Sequence, residues 1–201
     1  MKLKTIAVIG AGIMGSGIAQ VSAVTGYRVA IQDINDEILS KAKKGIEISI
    51  NKFVKKGILD TQKADEALSN ICFTTHLKEA AQDADLIIEA VFENLEIKHE
   101  LFKKLDSFTR PEAILASNTS ALPITEIASS TQRGAKFVGI HFMNPVPLMK
   151  GVEVIRGQLT SDDTFETAMQ HLYKLPEGSV QFPFPTTCMS NPGKVLRVAS
   201  N

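Results

Sequence analysis

Residues Lys4 to Gly15, reading Lys-Thr-Ile-Ala-Val-Ile-Gly-Ala-Gly-Ile-Met-Gly, constrain the fold more than any other stretch of this chain. Four apolar residues, Ile6 to Ile9, run into glycines at positions 10, 12 and 15, and a periodic apolar segment follows. That order predicts a buried strand, a tight turn and a helix with an open N-terminus. The G-x-G-x-x-G spacing gives each glycine a separate task. Gly10 permits the turn, Gly12 lets backbone approach a pyrophosphate, and Gly15 lets helix and strand pack closely. Ala11, Ile13 and Met14 complete the loop. Free amides and the positive end of the helix dipole suit phosphates there. Glycines also mark ordinary turns, but the strand before, the helix after and an acid closing the next strand favour a dinucleotide.

That acid is Asp33, at the end of Arg28-Val-Ala-Ile-Gln-Asp. A carboxylate there accepts hydrogen bonds from ribose hydroxyls and repels a 2′-phosphate, which favours NAD over NADP. By itself it reads equally as a strand-end or capping residue. Helices are expected over 13–25 and 35–56, the second with apolar residues at Ile38, Leu39, Ala42, Ile46, Ile50 and Phe53. Its lysines, among them Lys41, Lys44 and Lys56, read as a solvated face or as a site for a phosphate-bearing substrate. Further helices are expected over 61–68, 94–108, 122–128 and 164–175. Strands are expected over 71–74, 84–91, 113–117, 136–141 and 152–155. Alternation of this kind predicts an α/β, Rossmann-type doubly wound fold with a mostly parallel sheet. Ligands then bind at the carboxyl ends of the strands, where Glu89, Glu93, Ser117 to Ser120 and His141 fall.

Charge gives no hint of a polyanionic partner such as nucleic acid, because 22 Lys and Arg balance 22 Asp and Glu. Cys72 and Cys188 form no metal or disulfide pattern. No apolar run reaches a membrane span, and the N-terminus enters a strand at once, leaving no room for a signal peptide. A cytoplasmic protein with no membrane association and no metal is the expectation.

Oxidation of an alcohol needs a base for the hydroxyl proton, a group to stabilise that base once charged, and a donor for the oxygen. His141, Glu153 and Ser120 suit those roles, although a strand-end histidine also serves as a structural hydrogen-bonder. The segments Gly10 to Gly15, Glu89 to Lys98, Ser117-Asn-Thr-Ser120, His141-Phe-Met-Asn-Pro-Val-Pro147 and Lys150-Gly-Val-Glu-Val-Ile155 together resemble the NAD-binding domain of the 3-hydroxyacyl-CoA dehydrogenases. The bacterial 3-hydroxybutyryl-CoA dehydrogenases are especially similar. The resemblance covers residues 1 to about 175. It implies reversible hydride transfer between an L-3-hydroxyacyl-CoA, such as 3-hydroxybutyryl-CoA, and NAD, in fatty acid or butyrate metabolism; the alternatives are a dehydrogenase of a free hydroxy acid and a truncated module that binds NAD without catalysis.

Carried over by position, it implies that His141 is the general base, Glu153 its paired carboxylate and Ser120 the group on the substrate oxygen. Asp33 holds the adenosine ribose, and Glu93, Lys98, Ser120 and Asn144 line the nicotinamide half. Ser49 and Lys56 match positions that contact CoA. The family continues through a Pro-Gly-Phe segment and an Asn-Arg pair into an all-helical domain that makes a homodimer. Here Pro192-Gly193-Lys194 is the echo, and Arg197 stands where that asparagine is expected. The expectation is therefore an NAD-binding domain over 1–175 and an irregular, divergent tail over 176–201. Such a tail would come from a frameshift, an altered splice or a truncated gene, with the helical domain absent.

Overall fold

The computed structural model describes residues 3–149 and 151–172, and the backbone of 195–199. In order the elements are β1 (Thr5–Ile9), α1 (Ile13–Val24), β2 (Arg28–Gln32), α2 (Asp36–Lys55), α3 (Thr61–Ser69) and β3 (Ile71–Thr74). Then come α4 (Leu77–Ala81), β4 (Leu86–Glu89), α5 (Leu95–Phe108), β5 (Ile114–Ser117) and α6 (Ile124–Ala128). The last are β6 (Phe137–Phe142), β7 (Gly151–Arg156), α7 (Asp162–Leu172) and β8 (Val195–Ala199).

One sheet holds all these strands in the order β3-β2-β1-β4-β5-β6-β7-β8. Pairing is parallel from β3 to β6. Parallel strands carry helices on both faces, so both sets of alternating side chains must be apolar. They are. Ile6, Val8, Ile88, Ala116 and Ile140 face a core shared with α1, α2 and α7. Ala7, Ile9, Ile87, Leu115 and Phe137 face one shared with α4, α5 and α6. Because β2 and β4 flank β1 on opposite sides, the chain reverses direction across the sheet at the β1–β4 boundary. In open sheets of this kind the crevice at that boundary, outside the strands' carboxyl ends, is where ligands bind.

The expected architecture stands, with three differences. Pairing of β7 is antiparallel to β6, with His141 opposite Glu153. Residues 143–150 are too few for the crossover of a dozen or more residues that a parallel return requires. Helix α4 lies where the sequence showed none, since five residues are too short for a period to register. Strand β8 pairs with β7 inside the stretch read as irregular, setting Arg197 opposite Glu153 in register. The end of the expected 164–175 helix, Lys150, Cys188 and Pro192-Gly193-Lys194 lie outside the described residues.

The amino end of the sheet is pinned by Asp85. Its Oδ2 accepts from the Lys4 amide at 2.7 Å, the Thr5 amide at 2.9 Å and the Thr5 hydroxyl at 3.0 Å, while Arg110 donates to Oδ1 at 2.7 Å. Partial burial opposes ionisation, but these donors outweigh it and hold the carboxyl below its ordinary range. A depressed pKa stabilises the fold fully above the unfolded-state value and loses that contribution as pH falls through the folded one. Asp85→Ala should therefore cost about 2 kcal/mol at neutral pH. Thermal melts of both proteins should converge as pH drops below about 4, the ordinary aspartate value.

Candidate functional site

Two of the three motif glycines are required by the protein itself. Gly10 has φ of +100°, and a Cβ on it would sit 2.6 Å from the Ala90 carbonyl oxygen in the segment after β4. A Cβ on Gly15 would come 1.8 Å from the Gly10 carbonyl oxygen, so α1 cannot pack here with any side chain. Gly12 differs. Its Cβ would meet nothing within 4 Å, so the fold does not ask for glycine. What Gly12 leaves is open space over the start of α1.

That start carries no capping side chain and no acid in its first turn. By contrast α2, α3 and α5 are capped by Asn35, Asp60 and Asn94. The Ala11 amide donates to Asp33 Oδ2 at 2.8 Å, joining the turn to the end of β2. Oδ1 accepts no hydrogen bond from the described residues. Ile13 is exposed and Met14 half-buried on the same turn.

Across the crevice, a buried charge network ties the strand ends together. Glu89 and Lys98 are 0% and 1% exposed, with Nζ 2.5 Å from Oε1. Glu89 also accepts from the Val91 amide at 2.7 Å and the Ser117 hydroxyl at 2.6 Å. Lys98 reaches on to Glu93 Oε2 at 3.3 Å. The other Glu93 oxygen accepts from the Thr119 hydroxyl at 2.5 Å and the Ser120 amide at 3.0 Å, with the Ser120 hydroxyl at 3.5 Å. Partial burial works against ionised Glu93, but Thr119, the Lys98 charge and the Ser120 amide prevail and lower its pKa. Asn118 closes the circuit by accepting from the Phe142 amide at 2.8 Å, beside His141.

His141 Nδ1 lies 3.1 Å from Glu153 Oε2, both side chains mostly buried. This is a direct cross-strand pair, set by the β6–β7 register. On the same face, Ile9, Glu89, Ser117 and Gly139 form one row of register partners. His141 stands two residues beyond that row, about 7 Å along the strand. Asn144 is exposed just after β6, followed by a cis peptide to Pro145. Val146 then seats against α1, where a Cβ on Gly17 would be 2.7 Å from it.

The structure thus joins Asp33 to the glycine turn, His141 to Glu153, and Glu93, Lys98 and Ser120 to one another. Ser49 lies on α2 and Lys56 caps its C-terminal end two turns on, half-buried and exposed respectively, with no side-chain hydrogen bond or ion pair to the others. Lys98 is enclosed between the carboxylates of Glu89 and Glu93. The spacing Lys98, Phe102, Leu105 puts it on the buried stripe of α5, a signal that a partner carboxylate lies within. Asn118 as the link to β6 had no signal in sequence.

Fold and site together define an α/β dinucleotide-binding domain. Comparison with known proteins narrows the class. Residues 5–182 match the family described as 3-hydroxyacyl-CoA dehydrogenase, NAD binding domain. The human mitochondrial hydroxyacyl-coenzyme A dehydrogenase is 44% identical over 199 residues, covering 96% of this chain and 62% of that protein. A probable 3-hydroxybutyryl-CoA dehydrogenase of Deinococcus radiodurans is 48% identical over 188 residues, covering 94% and 65%. Among solved structures, the (S)-3-hydroxybutyryl-CoA dehydrogenase of Ralstonia eutropha superposes with a TM-score of 0.84 at 37% identity, over 87% of this chain and 62% of that one. The chain belongs to the 3-hydroxyacyl-CoA dehydrogenase family and spans under two thirds of these relatives. The matches run past residue 175, where the periodic pattern in the sequence stops.

The two kinds of glycine separate in a stability measurement. By chemical denaturation, Gly15→Ala should cost on the order of 3 kcal/mol, from overpacking against backbone. Gly12→Ala should cost less than about 1 kcal/mol, the difference between glycine and alanine as an N-cap.

Proposed function

We propose that this chain carries the cofactor and catalytic half of an NAD-dependent enzyme that interconverts an L-3-hydroxyacyl-CoA and the 3-ketoacyl-CoA. The observation that carries the reading is the His141–Glu153 pair at 3.1 Å, at the carboxyl end of β6 in a family of dehydrogenases.

The residues present fit NAD. Gly12 leaves space that a side chain would fill, and α1 leaves its first amides uncapped. In this reading the amides after Gly12 hold the phosphates, and Asp33, with Oδ2 on the Ala11 amide, turns Oδ1 to the adenosine ribose. Glu93, Lys98, Ser120 and Asn144 form the nicotinamide side, with Glu93 and Lys98 acting through each other. Bound NAD supplies the acceptor for the hydride leaving the alcohol carbon.

The chain's own residues handle the proton. With Nδ1–H donated to Glu153, His141 offers Nε2 as the base that takes the hydroxyl proton. Glu153 then stabilises the imidazolium that forms. The Ser120 hydroxyl donates to the substrate oxygen as it becomes a carbonyl. In reduction the same imidazolium returns the proton. Ser49 and Lys56 face the CoA portion, the lysine meeting a phosphate. A homodimer through a further helical domain and a cytoplasmic setting complete the proposal; the first rests on the family resemblance, the second on the low cysteine content. No described helix is long and apolar enough to cross a membrane.

The 201-residue chain should consume NADH with acetoacetyl-CoA but not with acetoacetate. His141→Ala should slow turnover by about 10²–10⁴-fold, the usual worth of a general base, with NADH affinity retained by fluorescence titration. Binding of NADH with no turnover by the parent chain would overturn the catalytic half of the proposal.

A further inference from the structure

Glu89 takes no part in the chemistry just described, yet it is the most enclosed charged group of the site. We propose that Glu89 is a positioning residue which sets Ser120 through Lys98 and Glu93.

Its environment is unusual for a stability device. Each ion of a buried pair loses several kcal/mol of hydration, and apolar residues of similar volume commonly do as well or better. Glu89 and Lys98 are nonetheless fully enclosed, and every contact of the carboxylate goes to a different piece of the site. Oε1 takes the Val91 amide in the β4–α5 connection and the Lys98 ammonium on α5. Oε2 takes the Ser117 hydroxyl at the end of β5, and the Glu89 carbonyl takes the Asn118 amide at 2.9 Å.

Residues 117–121 are therefore gripped from two sides. Glu89 holds Ser117 and Asn118 directly. Glu93 holds Thr119, Ser120 and the Ala121 amide, the last at 3.3 Å. Lys98 spans the two carboxylates and fixes the distance between the grips. A lysine with one carboxylate alone would follow that carboxylate. Held by Glu89 in the interior, its ammonium becomes a fixed point against which the more exposed Glu93 is oriented. Any slack in Glu93 passes straight to the Ser120 amide.

The proposal deepens the dehydrogenase reading, on which it depends only for what Ser120 touches. Its test is amide exchange resolved to single residues by NMR on the full chain. Glu89→Gln keeps the shape and one acceptor oxygen for Val91 and Lys98, removes the charge, and puts an amide donor opposite the Ser117 hydroxyl, which can rotate to accept it. Exchange at Ser120 and Ala121, which do not touch Glu89, should accelerate by about tenfold, as for loss of one charged hydrogen bond. Amides of β1 and β2 should keep their protection. Acceleration confined to Val91, or spread evenly over the sheet, would overturn the proposal, since the first is a local and the second a global effect.

If Glu89→Gln fails to fold, the double variant Glu89→Met/Lys98→Met replaces the ion pair with apolar groups. It should melt at or near the parent temperature and still exchange faster at Ser120 and Ala121; retained protection there would overturn the proposal. None of these measurements needs cofactor or turnover. Failure of the dehydrogenase reading would appear separately, as no NADH consumption by the parent chain.

Discussion

Parallel pairing from β3 to β6 is the constraint from which the rest of this structure follows. Side by side in one direction, the strands deliver all their carboxyl ends to one edge of the sheet. The registers put Ile9, Glu89, Ser117 and Gly139 in a single row there. Strand alternation then decides which side chains meet. Residues 89, 117 and 141 share the face covered by α5 and α6, so the network and the histidine lie on one side of the crevice. A slip of one residue in β4 would turn Glu89 into the opposite core, among Val8, Ala116 and Ile140, with no lysine to receive it.

Much of this was legible in the sequence, and for physical reasons. The first strand and helix are readable because burial on both faces demands an unbroken apolar run, and close packing demands glycine at 10 and 15. Asp33 is readable because it ends a strand of the same kind. Orientation of β7 was not read, although the short 143–150 connection contained it. This mattered, since antiparallel return is what brings Glu153, early in β7, against His141, late in β6. Helix α4 and strand β8 escaped because a five-residue helix has no period, and a strand that follows prolines and glycine offers little pattern to separate from a turn. The Glu89–Lys98–Glu93 connection joins a strand end, the loop after it and the following helix, so only the fold brings the three side chains together.

Hydrogen bonds also divide the ionisable groups at these strand ends by what they have left to offer. Glu89 has both oxygens committed to Lys98, Val91 and Ser117. Lys98 is enclosed between two carboxylates. Glu93 is held ionised by Thr119, Lys98 and Ser120, and both of its oxygens are engaged. A proton placed on Glu93 would have to displace hydrogen bonds that its anion already accepts, and in a partly buried site each is expensive to give up. Glu93 is therefore poorly suited to exchange protons with a substrate.

His141 is different. One ring nitrogen is fixed by Glu153, and Nε2 makes no hydrogen bond among the described residues. A base must be oriented on one side and available on the other, and a histidine meets both needs with two nitrogens on one rigid ring. A carboxylate set rigidly by several donors has correspondingly fewer lone pairs left for substrate. In the proposed reaction Glu93 stays ionised and held by its donors, and the His141–Glu153 pair is the place where a proton moves.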